Sequence, residues 1–366
     1  MHLYVHVPFC QRRCSYCDFS IAVRKRIPAE QFVAVVLNEA GTHQLANLDT
    51  IYFGGGTPSL LPPDAIASLI SHFHRRTTHD ARRTVVEVTL EANPEDVTVD
   101  KARAWASAGV NRVSLGGQSF DDTVLKWMHR SHGAARIGAA MHALRGAGIE
   151  NLSLDLIFAL PDELHRDWER DLDMALALRP NHLSLYGLTV EPRTPLDRWI
   201  SRGATHAPDE ERYAEEYLFA HRRLTAEGFF FYEVSNAARD GYRSQHNSAY
   251  WSGKPYVGLG PAAHSFDGST RRWNLRAWEA YRRAVAEGRS VVDSEETLTD
   301  EQREIERMYL GLRTADGVPS GVVRSLPKSF GAWFYEHAGR LKCTPEGWLR
   351  LDSIVAELTM HPETQR

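Results

Sequence analysis

The sequence reads as an α/β protein built on a parallel sheet, open or curled into a barrel, with a smaller second domain behind it. Three observations lead there. Short β-rich runs alternate with helical patterns six times through the first two-thirds of the chain, the signature of βα units. Unusual residues gather where those runs end: cysteines after the first, glycines after the second, Glu91 after the third and Gln118 after the fourth. In parallel sheets ligands bind at those carboxyl ends. A chain of 366 residues also exceeds the usual single domain, and its pattern changes near residue 236.

In order, residues 3–7 alternate as a strand that stops at Pro8, and 29–43 carry helical spacing (Phe32, Val33, Val36, Leu37, Ala40) behind Pro28. A strand at 50–53 runs into Gly54-Gly55-Gly56, followed by a helix at 62–73 and a strand at 84–90. Then come a helix at 100–108, a strand at 112–115, a helix at 133–147, a strand at 152–158, a helix at 165–178 and a strand at 182–188. A strong helix spans 209–227, and 229–234 reads as a last strand. Residues 236–270, rich in Gly, Asn, His and Ser, read as loop. Helices at 275–287 and 300–313, a hairpin around 343–351 and a helix from Ser353 complete an α+β, mainly helical domain, giving a division into 1–235 and 236–366.

Composition narrows the function classes. Net charge is −4, with Lys and Arg scattered, so nothing suggests nucleic-acid binding. The apolar run at 152–160 is broken by Ser153 and Asp155 and is far too short for a bilayer span. Four cysteines, three within eight residues, and no secretory leader argue against a disulfide framework and for a reducing cytoplasm.

Those three cysteines, Cys10, Cys14 and Cys17, carry C-x3-C-x2-C spacing after the first strand. A cubane iron–sulfur cluster normally takes four thiolates; with three, one iron keeps a position for a small molecule bearing an amine and a carboxylate. A zinc site of three cysteines with His6 is the competing reading. Cys343, far along the chain, reads as a buried or half-buried thiol. Glycines 54–56 would let backbone approach a ligand, although a tight turn explains them equally well, and they lack the residues of a phosphate-binding loop. Asp155 inside an apolar strand needs a partner or a ligand; Glu91, Gln118 and Arg130 have similar status. His246, in His246-Asn247-Ser248-Ala249-Tyr250-Trp251, has the company of a haem ligand or of a packed loop histidine. The segment Gly258 to His264 could bring backbone near the same place.

The segments YVHVPFCQRRCSYCDF, YFGGGTPS, LEANPE, GVNRVSLGGQSF, LDLIFALP, HNSAYW and GLGPAAHSF together resemble the radical S-adenosylmethionine (SAM) enzymes related to oxygen-independent coproporphyrinogen III oxidase. The closing LKCTPEGWLRLDSIVAEL resembles that family's C-terminal domain. The resemblance implies a partial (β/α)6 radical-SAM barrel, with Cys10, Cys14 and Cys17 holding a [4Fe–4S] cluster whose unique iron SAM chelates. It implies SAM contacts from Tyr4, Tyr16, Gly55, Gly56, Thr57, Glu91, Gln118, Arg130 and Asp155, and, where the local sequence diverges more, from Thr189 and His264. Some members bind two SAM molecules.

Two departures separate this chain from the oxidase itself. Phe19 stands where the oxidase has a further cysteine, and the first strand begins almost at Met1 where the oxidase has a long extension. Cys-Asp-Phe and HNxxYW are similar instead to HemW-type haem chaperones, which implies haem on His246, delivery to haem-accepting proteins, an electron donor for the cluster, and room for a homodimer and for peripheral membrane contact through acceptors. The alternative is a radical SAM enzyme acting on a porphyrin: the dehydrogenase, a methyltransferase or a haem-degrading relative. Gly117 replaces a usually apolar neighbour of the glutamine, with an effect on the SAM pocket left open.

Overall fold

A computed structural model describes residues 1–77, 86–322 and 330–360. Its centre is a twelve-stranded sheet. The strands are β1 (His2–Val7), β2 (Thr50–Gly55), β3 (Glu87–Ala92), β4 (Arg112–Gln118), β5 (Asn151–Phe158), β6 (His182–Gly187), β7 (Phe230–Glu233), β8 (Asn236–Ala238), β9 (Tyr256–Leu259), β10 (His264–Phe266), β11 (Thr270–Asn274) and β12 (Val292–Thr297). They lie in the order β12-β11-β10-β9-β1-β2-β3-β4-β5-β6-β8-β7. From β9 to β6 every neighbouring pair is parallel; both ends finish in antiparallel strands.

Alternation along the strands explains the shape. Leu3, Val5 and Val7, Ile51 and Phe53, Val88 and Leu90, Val113 and Leu115, Leu152 and Leu154, Leu183 and Leu185 are buried in one apolar core with flanking helices α1 (Ala29–Ala40), α2 (Pro63–Thr77) and α3 (Val99–Ala108), and, beyond α4 (Asp122–Trp127), with α5 (Ala134–Gly146) and α6 (Trp168–Ala177). Val124 of α4 packs in a smaller cluster with Met128, Ile157 and Leu188. The intervening residues project to the opposite face, and they are polar: His2, Tyr4 and His6, Thr50 and Tyr52, Glu87, Thr89 and Glu91, Arg112 and Ser114, Ser153 and Asp155, His182 and Ser184. A flat sheet would put β2 and β6 some 19 Å apart, four strand spacings. Gly55 at the end of β2 and Tyr186 and Gly187 of β6 instead line one and the same cavity. The sheet is thus curled into a partial barrel with a polar interior, as the sequence implied.

The sequence reading departs from the structure at named places. Helix ends shorten, as at Ala29–Ala40 and Trp168–Ala177, while β4 runs on to Gln118; the start of the strand expected at residue 84 lies outside the described residues. Residues 236–270 are not a loop. They form β8, helix α9 (Gln245–Trp251, after α7 Pro195–Ser201 and α8 Glu210–Ala226), β9 and β10. Those pieces are too short for their periodicity to register. Asn236 and Tyr256 each join the central sheet, which therefore continues across residue 235. Helices α10 (Trp278–Ala286) and α11 (Asp300–Leu312) follow.

The closing hairpin is made earlier than expected, by Phe334–His337 and Arg340–Cys343. Ala338 and Gly339 turn with φ of 49° and 72°, the paired left-handed residues of a two-residue hairpin. Residues 345–348 are instead a short helix capped by Thr344, with Pro345 in its first turn.

Candidate functional site

The cysteines sit on a loop that the barrel ties down at several points. Phe9–Cys10 pairs in parallel with Ala22–Val23. Ser15 N donates to Met128 O at 3.1 Å, Leu196 N donates to Ser15 O at 2.8 Å, and Arg24 N donates to Cys10 O at 2.9 Å. Gly56 N donates to Val7 O at 2.8 Å. A Cβ on Gly56 would stand 2.8 Å from Phe9 O and 2.9 Å from Pro8 C. The second strand end therefore packs backbone to backbone under the cysteine loop, which only glycine permits.

All four cysteines are free thiols. Burial raises the thiol pKa of Cys10, against the pull of a 3.2 Å hydrogen bond with Thr57 Oγ1, and burial pushes Cys17 up to about 11. Thiols so placed ionise on binding a metal and release protons to it. Among the described residues no three His, Cys, Asp or Glu side chains gather about one point that a single ion could fill. His6 is otherwise committed, Nε2 to Ser20 O at 3.1 Å and Nδ1 to the Tyr4 hydroxyl at 3.3 Å, so the zinc reading finds no support. A cubane offers a separate iron to each thiolate, so a spread set of three suits it.

The thiols open into a cavity of about 420 Å³ at the carboxyl ends of the strands. Twelve of the fifteen residues singled out in the sequence line it: the three cysteines, Tyr16, Gly55, Gly56, Thr57, Glu91, Gln118, Arg130, Asp155 and Thr189. Glu91 accepts hydrogen bonds from Tyr52 Oη (2.8 Å) and from Gly55 N (3.1 Å). Burial dominates even so and lifts its carboxyl to about 7. Asp155 is raised as well, by burial first, and is held by the hydroxyls of Ser114 (3.0 Å) and Ser153 (3.4 Å). Arg130 donates through Nη2 to Asn93 Oδ1 (2.7 Å) and Gly116 O (2.8 Å), and through Nη1 to Cys14 Sγ (3.7 Å). Its buried Nε has no partner among the described residues. Gln118 ends β4 at a register shift, with φ of 69°, a strained backbone of the kind that clusters at ligand sites.

Asn93 and Ser114 also line this cavity but were missed in the sequence. Ser114 pairs in register with Glu91, so a polar residue at inward strand spacing was the available signal. Gly117 does not line the cavity. A Cβ there would meet Leu154 Cδ1 at 2.8 Å and Ile137 Cδ1 at 3.4 Å, so the position belongs to the core between β5 and α5.

Three expected residues lie elsewhere. Tyr4 and His264 line a second cavity of about 380 Å³, with His6, Tyr250, Lys254, Tyr256, Phe266 and Arg271. His246 is fully buried in the floor of the barrel. Its Nδ1 is 2.7 Å from Thr50 Oγ1, its Nε2 is 2.8 Å from Tyr250 Oη, and its ring stacks on Tyr52 at 5.0 Å. Burial lowers its pKa to about 3, helped by His2 and Arg112. In this arrangement neither nitrogen is open to an iron.

A parallel barrel with three cysteines after its first strand and glycines after its second defines a radical SAM protein, and residues 4–175 match the Radical SAM superfamily. Over 321 residues the chain is 36% identical to heme chaperone HemW of Bacillus subtilis, covering 86% of this chain and 84% of that one. It is 34% identical over 370 residues to heme chaperone HemW of Mycobacterium tuberculosis, covering 97% and 94%. Its fold is that of the solved coproporphyrinogen III oxidase (HemN) from Escherichia coli, with a TM-score of 0.81 at 20% identity over 97% of this chain and 89% of that one. The chain belongs to the HemW family.

Proposed function

We propose that this protein is a haem chaperone, binding haem and passing it to haem-accepting proteins while carrying a SAM-coordinated [4Fe–4S] cluster. The observation that carries the reading is a cavity with three thiols on its rim and no fourth cysteine, in a chain of the HemW family. Phe19 stands on that rim, 58% exposed. Cys10, Cys14 and Cys17 would hold three irons. Gly55, Gly56, Thr57 and Tyr16 would lie against SAM near the thiols, with Glu91, Gln118, Arg130, Asp155 and Thr189 on the remaining wall.

When bound, the cluster and SAM supply one-electron reduction and a carbon-centred radical. The chain's own part is to exclude water, hold Arg130 beside the Cys14 sulfur, and present Glu91 and Asp155, both with pKa raised by burial, to a polar ligand. Among the described residues no helix is long and apolar enough to cross a membrane. A cytoplasmic location, an electron donor for the cluster and a homodimer belong to the same proposal.

The test is anaerobic reconstitution followed by haem titration, reading the Soret band, with coproporphyrinogen III and SAM offered in parallel. About one haem per chain with coproporphyrinogen unchanged supports the chaperone. Steady SAM-dependent conversion of coproporphyrinogen without specific haem binding would make the protein an enzyme.

A further inference from the structure

Resting on the haem-carrying reading above, we infer that the second cavity is the haem site, that His264 supplies the iron ligand, and that the HNSAYW helix builds its wall rather than binding iron itself. Haem asks for an imidazole with a free nitrogen, apolar walls for the macrocycle, and cations for two propionates. The 380 Å³ cavity between β1, the β9–β11 sheet extension and α11 offers all three.

His264 begins β10 and pairs in register with Trp273 of β11, whose indole lies parallel to the imidazole at 5.8 Å and 25°. The ring is solvent-exposed, and among the described residues neither of its nitrogens has a hydrogen-bond partner. The other two imidazoles nearby are spent: His6 on Ser20 O and Tyr4, His246 on Thr50 and Tyr250. The turn before His264 is fixed by its neighbours. Gly260 N donates to the buried Glu39 at 2.8 Å, and Asn274 Nδ2 donates to Gly260 O at 2.9 Å. Gly260 has a φ of 100°, and its Cβ position lies 2.5 Å from His6 O. The turn is thereby held flush against β1.

The walls are aromatic. Tyr250 and Tyr256 meet edge to face at 4.6 Å, and Phe266 follows at 6.5 Å. At the rim Lys254 is exposed and Arg271 is half-buried. Among the described residues Lys254 has no carboxylate partner, whereas Arg271 is bridged to Glu296 and Glu306. Lys254 is therefore the cation more readily given to a propionate.

Tyr250 ties the motif to the cavity, because it lines the wall while its hydroxyl bonds His246 Nε2. Replacing His246 would let that wall move and weaken haem binding without removing an iron ligand. A site half open to solvent also suits a cargo that must leave again.

Ferric haem is titrated into wild type, His264→Gly and His246→Gln, with the Soret maximum and the ligand-field spectrum read before and after free imidazole is added. The assignment predicts at least tenfold weaker binding by His264→Gly, with an altered spectrum that imidazole restores, and weaker binding by His246→Gln with the wild-type spectrum. Wild-type affinity and spectrum in His264→Gly, or imidazole rescue of His246→Gln alone, would overturn the assignment and leave the haem-carrying function standing. Absence of haem binding by wild type would overturn both.

Discussion

Cys10 and Cys343 are nearly equal in burial, at 8% and 4% exposed, and differ in company. Cys343 closes an antiparallel hairpin and belongs to the apolar core, where burial holds its pKa near 12. Cys10 shares a cavity with Cys14, Cys17 and Arg130. Alanine at any of Cys10, Cys14 or Cys17 is expected to drop reconstituted iron from about four per chain to background, while Cys343→Ala retains it; iron and sulfide analysis decides. Glu39 and Glu91 make a second residue-scale prediction. Burial raises both carboxyls from 4.5 to about 7, so between those pH values the folded state binds more protons than the unfolded state. Their contribution to stability therefore falls as pH rises from about 4.5 to 7 and levels off above, while buried neutral histidines such as His6 and His246 contribute in the opposite sense up to about pH 6.5. The two are separated by comparison: in urea unfolding of the cluster-free chain, wild type should lose stability relative to Glu39→Gln as pH rises across that window. A wild-type stability that holds level or gains relative to Glu39→Gln over the window would contradict the Glu39 assignment.

Helix α9 illustrates what the sequence concealed. HNSAYW reads as a loop motif, yet it is a seven-residue helix pinned at its start by β3. Glu87 accepts from Gln245 N at 2.9 Å and from His246 N at 3.0 Å, and Ser244 caps Asn247 N, satisfying orphan donors of the first turn. Those partners lie some 160 residues away in sequence, beyond the reach of local periodicity. The longer elements were legible because each meets the core through a repeating apolar face, as with β1, α1 and α8. Nothing in that signal could place Tyr4, His264 and His246 outside the cysteine cavity, since position along a barrel strand is set by register. Glu87→Ala removes a buried acceptor from two donors, so it should destabilise the protein by about 2 kcal/mol or more and lower its urea midpoint. An unchanged midpoint would mean that α9 is held by other contacts.

At the scale of the whole molecule, the barrel's polar interior serves two cavities separated by a thin wall. A Cβ on Gly54 would touch Tyr4, Tyr52 and Glu91 within about 3 Å, and one on Gly55 would strike the His6 ring. Tyr4 and His6 face the second cavity while Gly55 and Glu91 face the first. On the proposed assignment cluster and haem would lie in separate cavities and share no ligand, so haem should bind whether or not the cluster is present. The most direct measurement is an anaerobic haem titration of the Cys10→Ala/Cys14→Ala/Cys17→Ala chain beside the reconstituted wild type. About one haem per chain in both, with dissociation constants within a few-fold, is the expected result. Loss of haem binding together with the cluster would contradict the two-cavity account.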